Sequence, residues 1–284
     1  MGEFKTALRR AWYRFSRNAG SVVGLAIVGV IVLAALFAPL ITPFPGHAGG
    51  ALDILNANHP PDGRNLLGTD LVGRDLFTRI IYGYRLSLFM AVVVLALTVP
   101  VGVAVGLAAG YAGGMTEAVL MRITDVFLAV PPLVLAMAIM GLLPPSLIYG
   151  MMAVSLMWWP WYARLAFSIA RSLRQEGYVT AAEVIGASTW HVLLREILPN
   201  AMPSILTKMT LDVGFVILIA SSLSFLGLGV QPPTPDLGSM VAEGAGYLPD
   251  LWWLAVCPGV AILLVILGTN LLGDGIRDLL EAER

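Results

Sequence analysis

Charge is what this 284-residue chain has least of: Asp, Glu, Lys and Arg make up 12% of it, against 58% hydrophobic residues. Soluble domains run at about a quarter charged, so a water-soluble globule and a disordered chain are both excluded. A mean hydropathy of +0.83 marks a membrane protein instead. Cysteine is nearly absent too: Cys257 alone forms no internal disulfide and no Cys-based metal cluster. His47, His59 and His191 are too scattered for metal-ligand spacing, so no metal site is expected. Seventeen Lys and Arg against 18 Asp and Glu leave a net charge of −1, which excludes a basic field for nucleic acid. No G-x-x-x-x-G-K-[ST] loop precedes Lys5 or Lys208, the only lysines, so the chain lacks the usual phosphate cradle and no cofactor is expected on it. Nor does any His/Glu/Asp or Ser/His constellation converge in or beside the apolar runs, so no catalytic residue is assigned and an embedded enzyme ranks last.

What is present is long apolar runs. A helix crossing about 30 Å of hydrocarbon needs roughly 20 mostly apolar residues, because its backbone polar groups must bond within the helix. Six stretches qualify or nearly do: 22–41, 87–111, 126–143, 147–163, 213–230 and 251–272, the third to fifth being short. Lys5, Arg9, Arg10, Arg14 and Arg17 precede the first run, which is too long for a signal peptide and lacks an A-x-A-like cleavage site. Basic residues resist translocation, so the N-terminus is expected in the cytoplasm, and six spans return the C-terminus there. Arg122, Arg164, Arg171, Arg174, Arg195, Lys208, Arg277 and Arg284 then fall inside, making 13 of the 17 basic residues internal with the tail. Arg64, Arg74, Arg79 and Arg85 fall outside, balanced by Asp53, Asp62, Asp70 and Asp75. The expectation is an all-α polytopic protein of the cytoplasmic membrane with three parts: a basic tail and first span over 1–43, an external loop with an interfacial helix over 44–86, and a core domain over 87–284.

The core domain carries an internal segment, 164–200, longer than spanning a bilayer requires. Within it, Gly177-Tyr178-Val179-Thr180-Ala181-Ala182-Glu183-Val184-Ile185-Gly186 reads as a short helix of small residues, an abrupt turn at Gly186, and a second helix ended by Pro199. A knob of this kind lets another protein approach its backbone closely; a hairpin packing only on its own chain is the alternative. The stretch resembles the EAA motif of binding-protein-dependent ABC importer permeases in Ala181-Ala182, Gly186 and Ile197-Leu198-Pro199, with Thr180 in place of the leading Glu. Leu67-Gly68-Thr69-Asp70, Gly73-Arg74-Asp75, Tyr82-Gly83-Tyr84-Arg85-Leu86-Ser87, Leu223-Ser224-Phe225-Leu226-Gly227-Leu228-Gly229 and Asn270-Leu271-Leu272-Gly273-Asp274-Gly275-Ile276-Arg277-Asp278 resemble the C-type subunit of the dipeptide/oligopeptide/nickel branch. The tail after Asp278 departs from that family's acidic-proline ending.

The resemblance implies the type I ABC importer permease fold and a subunit that moves peptides or a related small solute, nickel included, by alternating access. It implies four partner chains besides membrane lipid: a B-type permease, two cytoplasmic ATPases that bind ATP and Mg, and an extracytoplasmic solute-binding protein. Hydrolysis would occur on those ATPases and not here. Thr180, Ala181, Ala182, Glu183, Gly186, Ile197, Leu198 and Pro199 would couple the knob to an ATPase. Asp236 and Glu243, in the external stretch 231–250, are candidates for an outer gate or a binding-protein contact, because a loop there can change shape without breaking a helix. The rival function is an ion-gradient-driven secondary transporter with Asp125 or Asp212 as the coupling acid. Against it, Arg122 with Asp125 and Lys208 with Asp212 read as self-neutralising pairs at span ends. Pro100, Pro131-Pro132, Pro160 and Pro258 predict bends, and Gly102, Gly106 and Gly110 predict a face for close helix contact.

Overall fold

The computed structural model describes residues 12–13 and 15–281, so Lys5, Arg9, Arg10, Arg14 and Arg284 of the charge argument lie outside the described residues. Asn18 starts the first helix, α1 (Ala19–Leu36), by accepting the Gly20 N–H on its side chain at 3.0 Å. After an irregular cap, Asp75 does the same for α2 (Leu76–Ala112), accepting the Thr78 N–H at 2.8 Å, and Gly113 at φ +69° ends it. Its 37 residues make a rod about 55 Å long, well beyond one bilayer. The sequence reading divided this stretch into an interfacial helix and a separate span from 87. They are one helix, because the only glycine before Pro100, Gly83, is held under the Leu237 side chain and nothing else interrupts the run.

Six more helices complete the frame: α3 (Gly114–Leu128), α4 (Pro132–Met140), α5 (Leu147–Leu173), α6 (Gly177–Val184), α7 (Leu198–Phe225) and α8 (Leu237–Ala245), followed by the closing α9 (Trp253–Glu281). Their contacts fix the number of crossings. Any side chain on Gly102 would collide with Trp159 and Tyr162; on Gly106, with Ala163 and Ala166; on Gly110, with Phe167 and Ala170. Residue numbers rise together on both helices, so α2 and α5 run parallel. The chain must therefore return between them, and only α3 and α4 are available, bent by 81° at the break before Pro132. This pair is a broken crossing and not a re-entrant hairpin. Next, α7 runs antiparallel to α5, with Trp158 beside Asp212 and Tyr162 beside Lys208. In turn α9 opposes α7, with Gly214 on Ile266 and Thr269, and α1 opposes α9, with Gly24 on Leu271 and Leu272.

Six traversals follow, as the sequence predicts. Four helices are long and apolar enough to span alone and the bent pair makes a fifth. The sixth is α5, whose 27 residues reach about 40 Å but whose hydropathy is diluted by Trp158, Trp159, Pro160, Trp161 and Tyr162. Both ends of the described chain meet at one end of the bundle, where Asn18 Nδ2 donates to Asp278 Oδ2 at 3.0 Å. By the same alternation, the α5–α7 connection lies at that end too.

Two expectations about charge and loops are corrected. Asp125 pairs with Arg164 of α5 and not with Arg122, which is exposed; a guanidinium from the facing helix takes the carboxylate instead. Lys208 and Asp212 do pair, at 3.1 Å. The stretch 231–250 is not a pliable loop, since it contains α8. Gly238 lies on the Ser221 carbonyl and Gly244 on Leu254, contacts that admit no larger residue and seat α8 in the bundle.

Candidate functional site

At the end of the bundle shared by both termini, α6 and the turn after it form the knob. The Gly186 N–H donates to the Glu183 carbonyl and the Ala187 N–H to the Ala182 carbonyl, both at 3.0 Å, which is a Schellman closure with Gly186 at the left-handed position, φ +88°. No atom lies within 4 Å of where a Gly186 side chain would start, so the demand there is conformational and not steric. Ser188 then caps a new turn, Thr189–His191, by accepting the His191 N–H. Pro199 was expected to end this second helix, yet helix continues from Thr189 to Phe225. The π turn Val192–Ile197 explains it: a proline ring collides with the carbonyl four residues back, and one wide turn opens room for it.

Structure divides the knob residues into two sets. Ala182 and Ile197 are buried, with Val179, Val192 and Leu193, in a small core beneath the knob. They hold the knob to the bundle. Thr180, Ala181, Glu183, Gly186 and Pro199 face outward, and Leu198 is half-buried. Alongside the outward set lies a patch the sequence reading missed, Val184, Ile185 and Trp190, which are 81%, 85% and 72% exposed, with Leu194 and Tyr178 at its edge. Its signal was in the sequence: Val184-Ile185 puts two branched apolar residues directly before a turn, where a solvated loop would carry charge. The Tyr178 hydroxyl sits above its ordinary pKa through desolvation and the nearby Glu176 and Glu196 carboxylates.

Polar contacts tie the knob to the corner between α2 and α3. Tyr111 Oη donates to Glu183 Oε1 at 2.8 Å, and the Arg174 guanidinium lies 5.4 Å from the Tyr111 ring centre. One turn earlier on α5, Arg171 pairs with Glu117 of α3 at 2.9 Å. The corner itself is Gly113-Gly114, both at positive φ.

The six-crossing bundle thus ends in a knob whose Val184, Ile185 and Trp190 are exposed. A family model described as the binding-protein-dependent transport system inner membrane component matches residues 102–283. A second, described as the N-terminal TM domain of oligopeptide transport permease C, matches residues 6–61. The chain belongs to the binding-protein-dependent transport permeases. Among relatives, the probable D,D-dipeptide transport system permease protein of Escherichia coli is 41% identical over 92% of this chain and 87% of its own length. The dipeptide transport system permease protein of Haemophilus influenzae is 36% identical over 98% and 95%, and the oligopeptide transport system permease protein of Bacillus subtilis 37% over 95% and 88%. Among solved structures, an inward-facing form of the MetNI methionine ABC transporter superposes with a TM-score of 0.60 at 16% identity, over 72% of this chain and 97% of that one. The fold is that of an ABC importer permease.

At the opposite end of the permease, the two acidic residues singled out from the sequence have structural employment. Asp236 is 3% exposed and caps α8, accepting the Ser239 N–H at 2.9 Å and its hydroxyl at 2.8 Å. This carboxylate is not presented to solvent. Glu243 lines a narrow cleft with Asp70 and Arg79. Arg79 is buried, 3.4 Å from Asp70, which also accepts Arg74 Nε at 2.6 Å. The permease's outer-loop motifs thus form a compact charged clasp joining the irregular cap to α2.

Proposed function

We propose that this permease is the C-type subunit of an ATP-driven importer of peptides or a related small solute, nickel included, working with a B-type permease, two cytoplasmic ATPases and an extracytoplasmic solute-binding protein. ATP and Mg are held by the ATPases, and this chain supplies half of the membrane path. Both termini and the knob face the cytoplasm of a cell bounded by this inner membrane. The excess of Lys and Arg on that side and the peptide-transport names of the relatives support the reading.

The observation that carries it is the exposed knob. Burying Val184, Ile185 and Trp190 in a groove of an ATPase would contribute roughly 1.5–3 kcal/mol per side chain before ordering costs. With Ala182 and Ile197 locked into the core beneath, a displaced knob moves α5 and α7 with it, and Tyr111 carries the displacement to α2. Switching between packings open to either side then follows ATPase closure and solute-protein release. The experiment is co-expression of both permeases with the ATPases, followed by purification and reconstitution. The four subunits should copurify, hydrolyse ATP faster with loaded binding protein, and take up dipeptide only with ATP inside. Dipeptide uptake by the permeases alone, driven by an ion gradient, would overturn this reading in favour of a secondary transporter.

A further inference from the structure

One stripe of α7 is only partly covered by the rest of the chain, with Phe215 and Leu218 exposed along it. Ser204, Lys208, Leu211, Phe215, Leu218 and Ser222 recur at alternating intervals of four and three, the spacing of a single helix face. The stripe is the floor of a groove. Its knob-side half opens a cavity of about 430 Å³, with Leu165 of α5 on one wall and Arg277 and Leu280 of α9 on the other. The cap-side half opens another of about 330 Å³, walled by Leu133 of α4, Val241 of α8 and Ile262 of α9. Phe215 closes the first and Leu218 the second, one turn apart.

Chemistry separates this groove from an ordinary lipid-facing seam. Lys208 is half-buried on α7, ten residues from its start, and an ionisable group on an apolar spanning helix faces bundle interior or water. Its partner Asp212 has a 6% exposed side chain and accepts Lys208 at 3.1 Å and Trp158 Nε1 at 3.0 Å. The Lys208 side chain stays 26% exposed and its ammonium has three donors, so it keeps capacity toward the cavity after bonding Asp212. It also lies 5.3 Å from the Tyr162 ring centre, which steadies the cation.

Resting on the peptide-importer reading, we infer that this stripe is the permease's share of the translocation path. Lys208 is the subsite for the carboxylate of a zwitterionic, peptide-like solute, Leu211 and Phe215 receive its apolar side chains, and Phe215 with Leu218 forms the constriction between the two vestibules. The Lys208 and Asp212 pair is thereby a fixed ion pair, its carboxylate held by Lys208 and by Trp158 Nε1.

The test uses the reconstituted complex with Cys257→Ser. Single variants Ser204→Cys, Phe215→Cys and Ser222→Cys are exposed to a water-soluble thiol reagent, with Leu263→Cys, 58% exposed on α9, as the lipid-side comparison. The stripe positions should react and Leu263→Cys should not. Dipeptide with its binding protein at ten times half-saturation should slow modification of Phe215→Cys about tenfold. Stripe positions as inert as Leu263→Cys, in vesicles that still import dipeptide on ATP, would overturn the path while leaving the importer reading intact. Loss of ATP-driven import in the unmodified complex would instead count against both. For the subsite, uptake of a dipeptide is compared with that of its C-terminal amide. Lys208→Gln should lose the preference for the free carboxylate and Lys208→Arg should keep it. Should Lys208→Gln reduce the amount of complex, Lys208→Gln with Asp212→Asn removes the unpaired buried acid. An unchanged carboxylate preference in that pair would refute the role of Lys208.

Discussion

A single backbone angle decides the shape of the knob. Gly186 at φ +88° stands in open space, so Gly186→Val adds no collision and acts only through a conformation costing on the order of 1–3 kcal/mol for a branched residue. We expect Gly186→Val to leave the bundle folded, and to lower ATPase attachment or solute moved per ATP. Gly186→Asn, which tolerates the left-handed region, should behave nearly as wild type. Subunit stoichiometry, hydrolysis and uptake on the same vesicles decide. Neighbouring alanines should part company in the same assay. Ala181 faces outward, so Ala181→Glu should block docking on an intact knob. Ala182 sits in the small core, so Ala182→Glu buries an unpaired charge and should loosen the knob itself, seen as new protease cleavage between 174 and 190. Sequence alone made Gly186 legible, because an abrupt turn needs positive φ. It could not distinguish Ala181 from Ala182, or tell that Ile197 anchors the knob, because which face of an eight-residue helix is covered depends on α5 and α7 lying beneath it.

Among the elements, the long apolar helices were readable because length and hydropathy are set by the bilayer and not by the neighbours. Two features were hidden for contrary reasons. Helix α8 has nine residues, two of them glycines chosen for close contact with α7 and α9, and so reads as loop. The continuity of helix through Pro199 depends on a π turn that no residue pattern announces. The small-residue face was readable in kind, and the structure supplies its partner, α5. What joins knob to bundle most directly is the hydrogen bond from Tyr111 to Glu183, a contact of 72 residues' separation. Tyr111→Phe keeps the ring under Arg174 and deletes only the hydroxyl. It should cost about 0.5–1.5 kcal/mol of knob seating, lower uptake per ATP and spare hydrolysis. Glu183→Gln retains an acceptor and should be milder, whereas Glu183→Ala with Tyr111→Phe should be no worse than either alone. Additive losses in that cycle would show the two residues act separately.

For the whole molecule, the parallel run of α2 and α5 carries the topology. It demands a crossing between them despite the 81° break, and so places the connections before α2 and after α7 on one side, with the knob and both chain ends on the other. The proposed cytoplasmic side rests on charge: Arg171, Arg174 and Arg195 lie at the knob end, whereas 231–250 holds no Lys or Arg. The arrangement predicts opposite labelling of two exposed positions, Ser172 at the end of α5 and Thr234 before α8. With Cys257→Ser, an impermeant thiol reagent added to intact cells should modify Thr234→Cys and spare Ser172→Cys until the membrane is opened. Equal labelling of both from outside would mean that α7, the one long helix between them, does not cross the membrane. That outcome contradicts the antiparallel packing of α7 on α5, with Trp158 beside Asp212 and Tyr162 beside Lys208, along a helix long and apolar enough to span. Labelling of Ser172→Cys alone would invert the protein and leave the knob outside, where no ATPase could reach it, because the other route to that result, a hairpin return of α3 and α4, would run α5 antiparallel to α2 against the packing of Gly102, Gly106 and Gly110.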